Sequence, residues 1–231
     1  MRTPRRRAVG TGGTATRSVG MTRQYRPADA ALQPTFLIAL GWIGIAGCLA
    51  FAGAVVTADL IVPDQSWLSD TISDLGAGEL EFIVDIGLYS FSAGLIACAL
   101  GAAHVHLGGA RWSWGLVGLA VLALTVFLVG ARNEYGDGDE EGWVIHIYLV
   151  YGLGVLFAAV PMAMSFGARS AGIGYLRALR FGSVLWALAA PPFFFVPTSI
   201  DGAYERGLML IAFITVITLS RLLITEGLRV R

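Results

Sequence analysis

A chain of 231 residues that is 56% hydrophobic and only 14% charged, with a mean hydropathy of +0.70, falls outside the soluble globular range, where about 25% of residues are charged. Two cysteines, Cys48 and Cys98, sit inside apolar runs, which argues against a disulfide framework; three histidines without a CxxC pair argue against a structural zinc module, and no metal is expected. The formal net charge is zero, yet the sixteen cationic residues are all arginine and are strongly segregated from the sixteen acids along the chain.

Residues 1–34 are polar and Arg-rich, with nothing to bury, and are expected to be a disordered tail. The run Arg5-Arg6-Arg7 has no apolar stretch close behind it, so it reads poorly as an export signal. Met21 offers an alternative start. Six apolar segments follow, at about 35–58, 82–104, 113–131, 143–166, 181–198 and 207–225. At about 1.5 Å per residue, twenty residues match a hydrocarbon core of about 30 Å. Backbone amides in lipid must pair internally, and without alternating strand-length segments that means helices. The expected fold is therefore all-α: an integral membrane bundle of six transmembrane helices over 35–226, with a short tail at 227–231. Pro161 is expected to kink the fourth span, and Pro191-Pro192 the fifth.

Charge sorting supplies an orientation. With the N-terminus in the cytoplasm, fourteen of the sixteen arginines fall on that side, and only Arg132 and Arg206 lie outside. Among the acids, only Asp29 and Glu226 fall inside. The positive-inside rule then predicts both termini in the cytoplasm of a cell-membrane protein. Trp112 and Trp114 are expected at the inner interface, Trp67 and Trp143 at the outer one. Gly41, Gly44 and Gly47 on the first span, and Gly87, Gly94 and Gly101 on the second, predict close helix packing within the bundle or between copies.

The first outer loop, about 59–81, contains the stretch Ser66–Gly78, SWLSDTISDLGAG. Its apolar residues predict a short amphipathic helix over Trp67–Leu75, ended at Gly76 or Gly78. On such a helix Asp70 and Asp74 stand one turn apart, with Ser69 and Ser73 beside them. Two bare carboxylates at that spacing repel by about a few tenths of a kcal/mol in water and more near lipid. A metal ion, a shared proton or an arginine, Arg132 or Arg206, would compensate. His146 and Asp85 each fall about one turn inside a span, where an ionisable group costs about 2.5–3.5 kcal/mol on insertion scales. Either these groups clamp helices as Asp–Arg or Asp–His pairs, or they hold a ligand. His104 and His106, at the opposite end, read as interface residues, and the acidic run Glu134–Glu141 reads as a solvated turn.

These residues resemble those of a known family. "VPDQSWLSDTISDLGAG" before an apolar span is similar to the opening signature of the domain-of-unknown-function family 998, at Pro63, Ser69, Ile72, Ser73, Asp74, Leu75 and Gly76. The segment from Phe127 to Met164 resembles the family's Gly–acidic loop–His pattern, with His146 at the His position and a departure at "VGARNEYGDGD". "DGAYERGLMLIAF" resembles its last loop, carrying Glu205 and Arg206. The resemblance implies a multi-span membrane protein without an established activity. The loop core is also remotely similar to that of the DRAM/Sfk group, which includes membrane proteins linked to lipid remodelling.

Three functions compete. An outer-leaflet cluster of Ser69, Asp70, Ser73, Asp74, Asp85, Arg132, His146 and Arg206 would hold a lipid headgroup or small polar ligand. An intramembrane hydrolase or transferase would use Asp74 and His146, with Ser73 or water as nucleophile, and the lone outer His weighs against a metal-dependent version. A transporter or an assembly subunit of a membrane complex is the third, although no internal repeat is visible. No nucleotide, haem or flavin motif occurs, so no cofactor is expected. The expected partners are the lipid bilayer, a bound lipid, and a second copy or a larger membrane complex. The basic tail is explained by topology and anionic lipid, not by nucleic acid.

Overall fold

Long apolar runs can satisfy their own backbone in lipid only by coiling. The computed structural model describes residues 32–78, 80–131 and 145–231, and within them each such run is helical. The elements are α1 (Pro34–Ile61), α2 (Ile72–Leu75), α3 (Glu81–Val105), α4 (Ala110–Ala131), α5 (Ile145–Ala168), α6 (Ile173–Ala189), a 3-10 turn (Pro191–Phe195) and α7 (Asp201–Val230). Among the described residues six helices are long and apolar enough to cross a membrane, and no strand occurs. The protein is an all-α, multi-pass membrane bundle with a short helix in its first long connection.

The six long helices close a ring in the order α1, α3, α4, α5, α6, α7, and α3 also meets α7 across the middle. Small residues set the closest approaches. A Cβ on Gly47 would lie 2.6 Å from the Ser90 carbonyl oxygen, so only glycine lets α1 and α3 pack this tightly. Gly87 and Gly94 face α1, while Gly101 faces Leu223 of α7, so both predicted glycine rows turn inward within one bundle. At the end of the bundle where α1 begins, the backbone N–H of Gln33 donates to His104 Nε2 at 3.0 Å. That bond ties the start of α1 to the last turn of α3.

Two details depart from expectation. Trp112 is not an interface ring. It is fully buried, and its indole N–H donates to the Ala102 carbonyl at 3.0 Å, while its neighbour Trp114 is 73% exposed. The fifth span begins earlier than 181, at Ile173, and runs to Phe195. Pro191 and Pro192 lack the N–H groups that would continue an α-helix, so α6 stops at Ala189 and a 3-10 turn completes the span. The Tyr204 hydroxyl donates to the Ala189 carbonyl at 2.8 Å, occupying an acceptor at that helix end. As a result Arg177 and Arg180 lie inside α6 and not before it. Pro161, in contrast, sits within α5 without ending it. The N-terminal tail and the second loop, with Arg132, the acidic run and Trp143, lie outside the described residues.

Candidate functional site

The segment between α1 and α3 does not form one helix from Trp67 to Leu75. Its two aspartates build two successive turns, because short acidic side chains compete for nearby backbone N–H groups. Asp70 accepts from the Ser66 N–H at 2.8 Å and from the Ser69 hydroxyl at 3.2 Å, and its own N–H returns to the Ser66 carbonyl at 2.8 Å. Asp74 closes a capping box with Thr71, the N-cap of α2. The Asp74 N–H donates to the Thr71 hydroxyl at 3.0 Å, while the Asp74 carboxylate accepts from the Thr71 N–H at 2.8 Å and the Thr71 hydroxyl at 2.7 Å. Each carboxylate therefore has local donors, and the expected one-turn pairing of Asp70 with Asp74 does not form.

Arg206 holds this segment against the bundle. It stands in the second turn of α7, which begins at Asp201 and not near 207. Its guanidinium forms a bidentate ion pair with Asp59 near the end of α1, with Nε donating at 3.1 Å and Nη2 closing the second contact. Nη1 donates to the Asp70 carbonyl at 2.8 Å and to the Gly202 carbonyl at 2.9 Å. Both charged side chains are largely buried, at 13% and 17% exposure. Gly202 permits the contact, since a Cβ there would lie 2.3 Å from the Asp70 carbonyl oxygen. The partner that Arg206 takes is thus Asp59, a residue not among the predicted cluster. Its signal in the sequence was its place directly after the first apolar segment, 35–58.

Glu205, next along α7, reaches the other way. Its carboxylate accepts from the Ile72 N–H, from the Ser73 N–H at 3.4 Å and from the Ser73 hydroxyl at 3.3 Å. Ser73, Gly76, His146 and Glu205 then form the polar end of a cavity of about 1200 Å³ between α3, α4, α5, α6 and α7. Most of the rest of its wall is apolar, with Phe91, Phe157, Trp186, Leu208 and Ala212 among its residues, and Arg111 and Ser183 are polar exceptions. Of the predicted site residues, the cavity brings together Ser73 and His146. Ser69, Asp70, Asp74 and Arg206 shape the loop above it, and Asp85 is half-buried on α3 without lining it. Among the described residues no group of three His, Cys, Asp or Glu is placed to hold a metal ion.

A family model described as protein of unknown function (DUF998) matches residues 45–222. This chain belongs to the DUF998 family. No curated protein and no solved structure matches it. The DUF998 match takes in Asp59, the whole Ser66–Gly78 segment, His146, Glu205 and Arg206. It also takes in every residue found to line the cavity, from Phe51 to Ala212, so clamp and cavity both lie within the DUF998 region.

Proposed function

We propose that this DUF998 protein holds an amphiphilic molecule of the bilayer, with its apolar chain in the cavity and its polar group against Ser73, His146 and Glu205. The observation that carries this reading is the size and lining of the cavity. The cleft is partly open to the bilayer, and its largely apolar wall suits an acyl chain. The three polar residues at one end supply hydroxyl, imidazole and carboxylate for the part of the ligand that is not apolar. With the arginine-rich end in the cytoplasm of a cell-membrane protein, that polar end faces the outer leaflet.

In this reading the Asp59–Arg206 pair and the Asp70 and Asp74 turns shape the mouth without touching the ligand. A hydrolase built on Asp74 and His146 gains less support, since Asp74 is committed to Thr71 and does not line the cavity. The test is native mass spectrometry of protein extracted with its surrounding lipid. Wild type should carry a stoichiometric amphiphile. Ala212→Phe, which puts a ring into the cavity from a buried position on α7, should carry several-fold less. An empty wild type, or equal loading of the two, would sink the proposal.

A further inference from the structure

The opposite end of the same cavity carries arginine. Arg111 stands in the first turn of α4 and Arg180 in the second turn of α6. Both guanidinium groups lie against the single ring of Phe166 on α5, with their central carbons 4.0 Å and 4.7 Å from its centroid. Arg180 Nε also donates to the Ser165 hydroxyl at 3.2 Å. Among the described residues neither arginine has a carboxylate partner. Two positive groups held on one ring repel each other, and an arginine within an apolar span is costly. The ring quadrupole and one hydroxyl offset part of that cost, and an anion would offset more. Guanidinium forks match the oxygens of a phosphate.

Arg111 is exposed and Arg180 half-buried, and of the two only Arg111 lines a cavity, with Arg180 joined to it through the Phe166 ring. Arg111 and Phe166 line the large apolar cavity, and they also line a second cavity of about 640 Å³ completed by Gly108, Gly109, Gly167 and Ser170. They therefore stand where the apolar interior meets the turn between α3 and α4. We infer that Arg111 and Arg180 form a headgroup site for a phosphate-bearing anionic amphiphile whose chain lies in the large cavity. The cavity then has two polar mouths of opposite character, a carboxylate–hydroxyl–imidazole mouth and a guanidinium mouth, each able to receive amphiphile from its own leaflet. This inference rests on the proposed amphiphile-binding role for the destination of the chain, while the charge preference at the arginines is measured separately.

The experiment reconstitutes the full chain in nanodiscs of equal phosphatidylglycerol and phosphatidylcholine and reads the retained lipid by native mass spectrometry. Wild type should be several-fold enriched in phosphatidylglycerol. The double variant Arg111→Gln, Arg180→Gln should retain lipid at the bulk ratio, which shows that it is folded, and Arg111→Lys, Arg180→Lys should keep most of the enrichment. Equal enrichment in wild type and the Gln variant, or none in wild type, overturns the inference. Millimolar inorganic phosphate that displaces the enriched lipid and stabilises lipid-free wild type, but not the Gln variant, assigns the pair to free phosphate and overturns the lipid form. Loss of lipid in Ala212→Phe with no enrichment in wild type overturns the arginine site alone. Enrichment that survives Ala212→Phe undiminished overturns the cavity as the place of the chain.

Discussion

Arg206 makes four hydrogen bonds, two to Asp59, one to Asp70 and one to Gly202, so one side chain joins α1, the connecting segment and α7. Removing it leaves a mostly buried carboxylate without its partner, the costly half of breaking such a pair. Arg206→Ala should therefore lower unfolding stability by about 3 kcal/mol, read by denaturant titration in detergent. Adding Asp59→Asn should recover part of that loss, because the stranded charge goes with it. Arg206→Lys should not restore wild type, since an ammonium cannot reproduce the bidentate fork and both carbonyl contacts. An Arg206→Ala protein as stable as wild type would show that the pair contributes little. The capping box is a smaller effect: Thr71→Ala should cost about 1 kcal/mol and act only on α2.

At the scale of the element, backbone approach decides which glycines matter. Gly47→Ala sets a Cβ 2.6 Å from the Ser90 carbonyl, and Gly202→Ala sets one 2.3 Å from the Asp70 carbonyl. Each should cost about 1–3 kcal/mol as overpacking, and Gly202→Ala should also loosen the Ala203 N–H bond to the Leu68 carbonyl, 3.0 Å long. Gly53 lies on the same helix as Gly47 but has nothing within 4 Å of an added Cβ. Gly53→Ala should therefore be neutral or stabilising by up to about 1 kcal/mol through helix propensity. Thermal unfolding of the three variants side by side checks the contrast, and equal losses at Gly47 and Gly53 would refute it. The proline pair acts at the same scale. It ends α6 at Ala189, while the start of α6 at Ile173 places Arg180 within the helix, where it meets Phe166.

For the molecule as a whole, the ring of six helices leaves α5 and α6 the least buried of the six spans, and the cavity opens against them. The start of α1 and the last turns of α7 stand at the same end, with Gly227 of α7 packed against Pro34 and Leu37 of α1. The expected orientation places that end in the cytoplasm. A phosphatase that works only outside the cytoplasm should stay inactive when fused after Arg231, and activity there would reverse the assignment of the two mouths.

Six spans, the helical class and the location of the polar segment were legible in the chain, because lipid obliges every long apolar run to close its own hydrogen bonds. The glycine rows were legible as packing faces for the same reason of scale: each lies on one helix and has one period. What the side chains at the site do was not legible. The Ser-Asp spacing suits a helix face, yet each aspartate found closer donors in its own turn. Asp59 and Arg206 are 147 residues apart in the chain, and no local pattern signals their pairing. His146, Ser73 and Glu205 come from three separate elements, α5, α2 and α7, and Arg111, Phe166 and Arg180 from α4, α5 and α6. Hydropathy along the chain determined that the protein lies in a membrane; only the tertiary packing of the helices decided that a largely apolar cavity opens beside α5 and α6, with Ser73, His146 and Glu205 in its wall and Arg111 elsewhere on it.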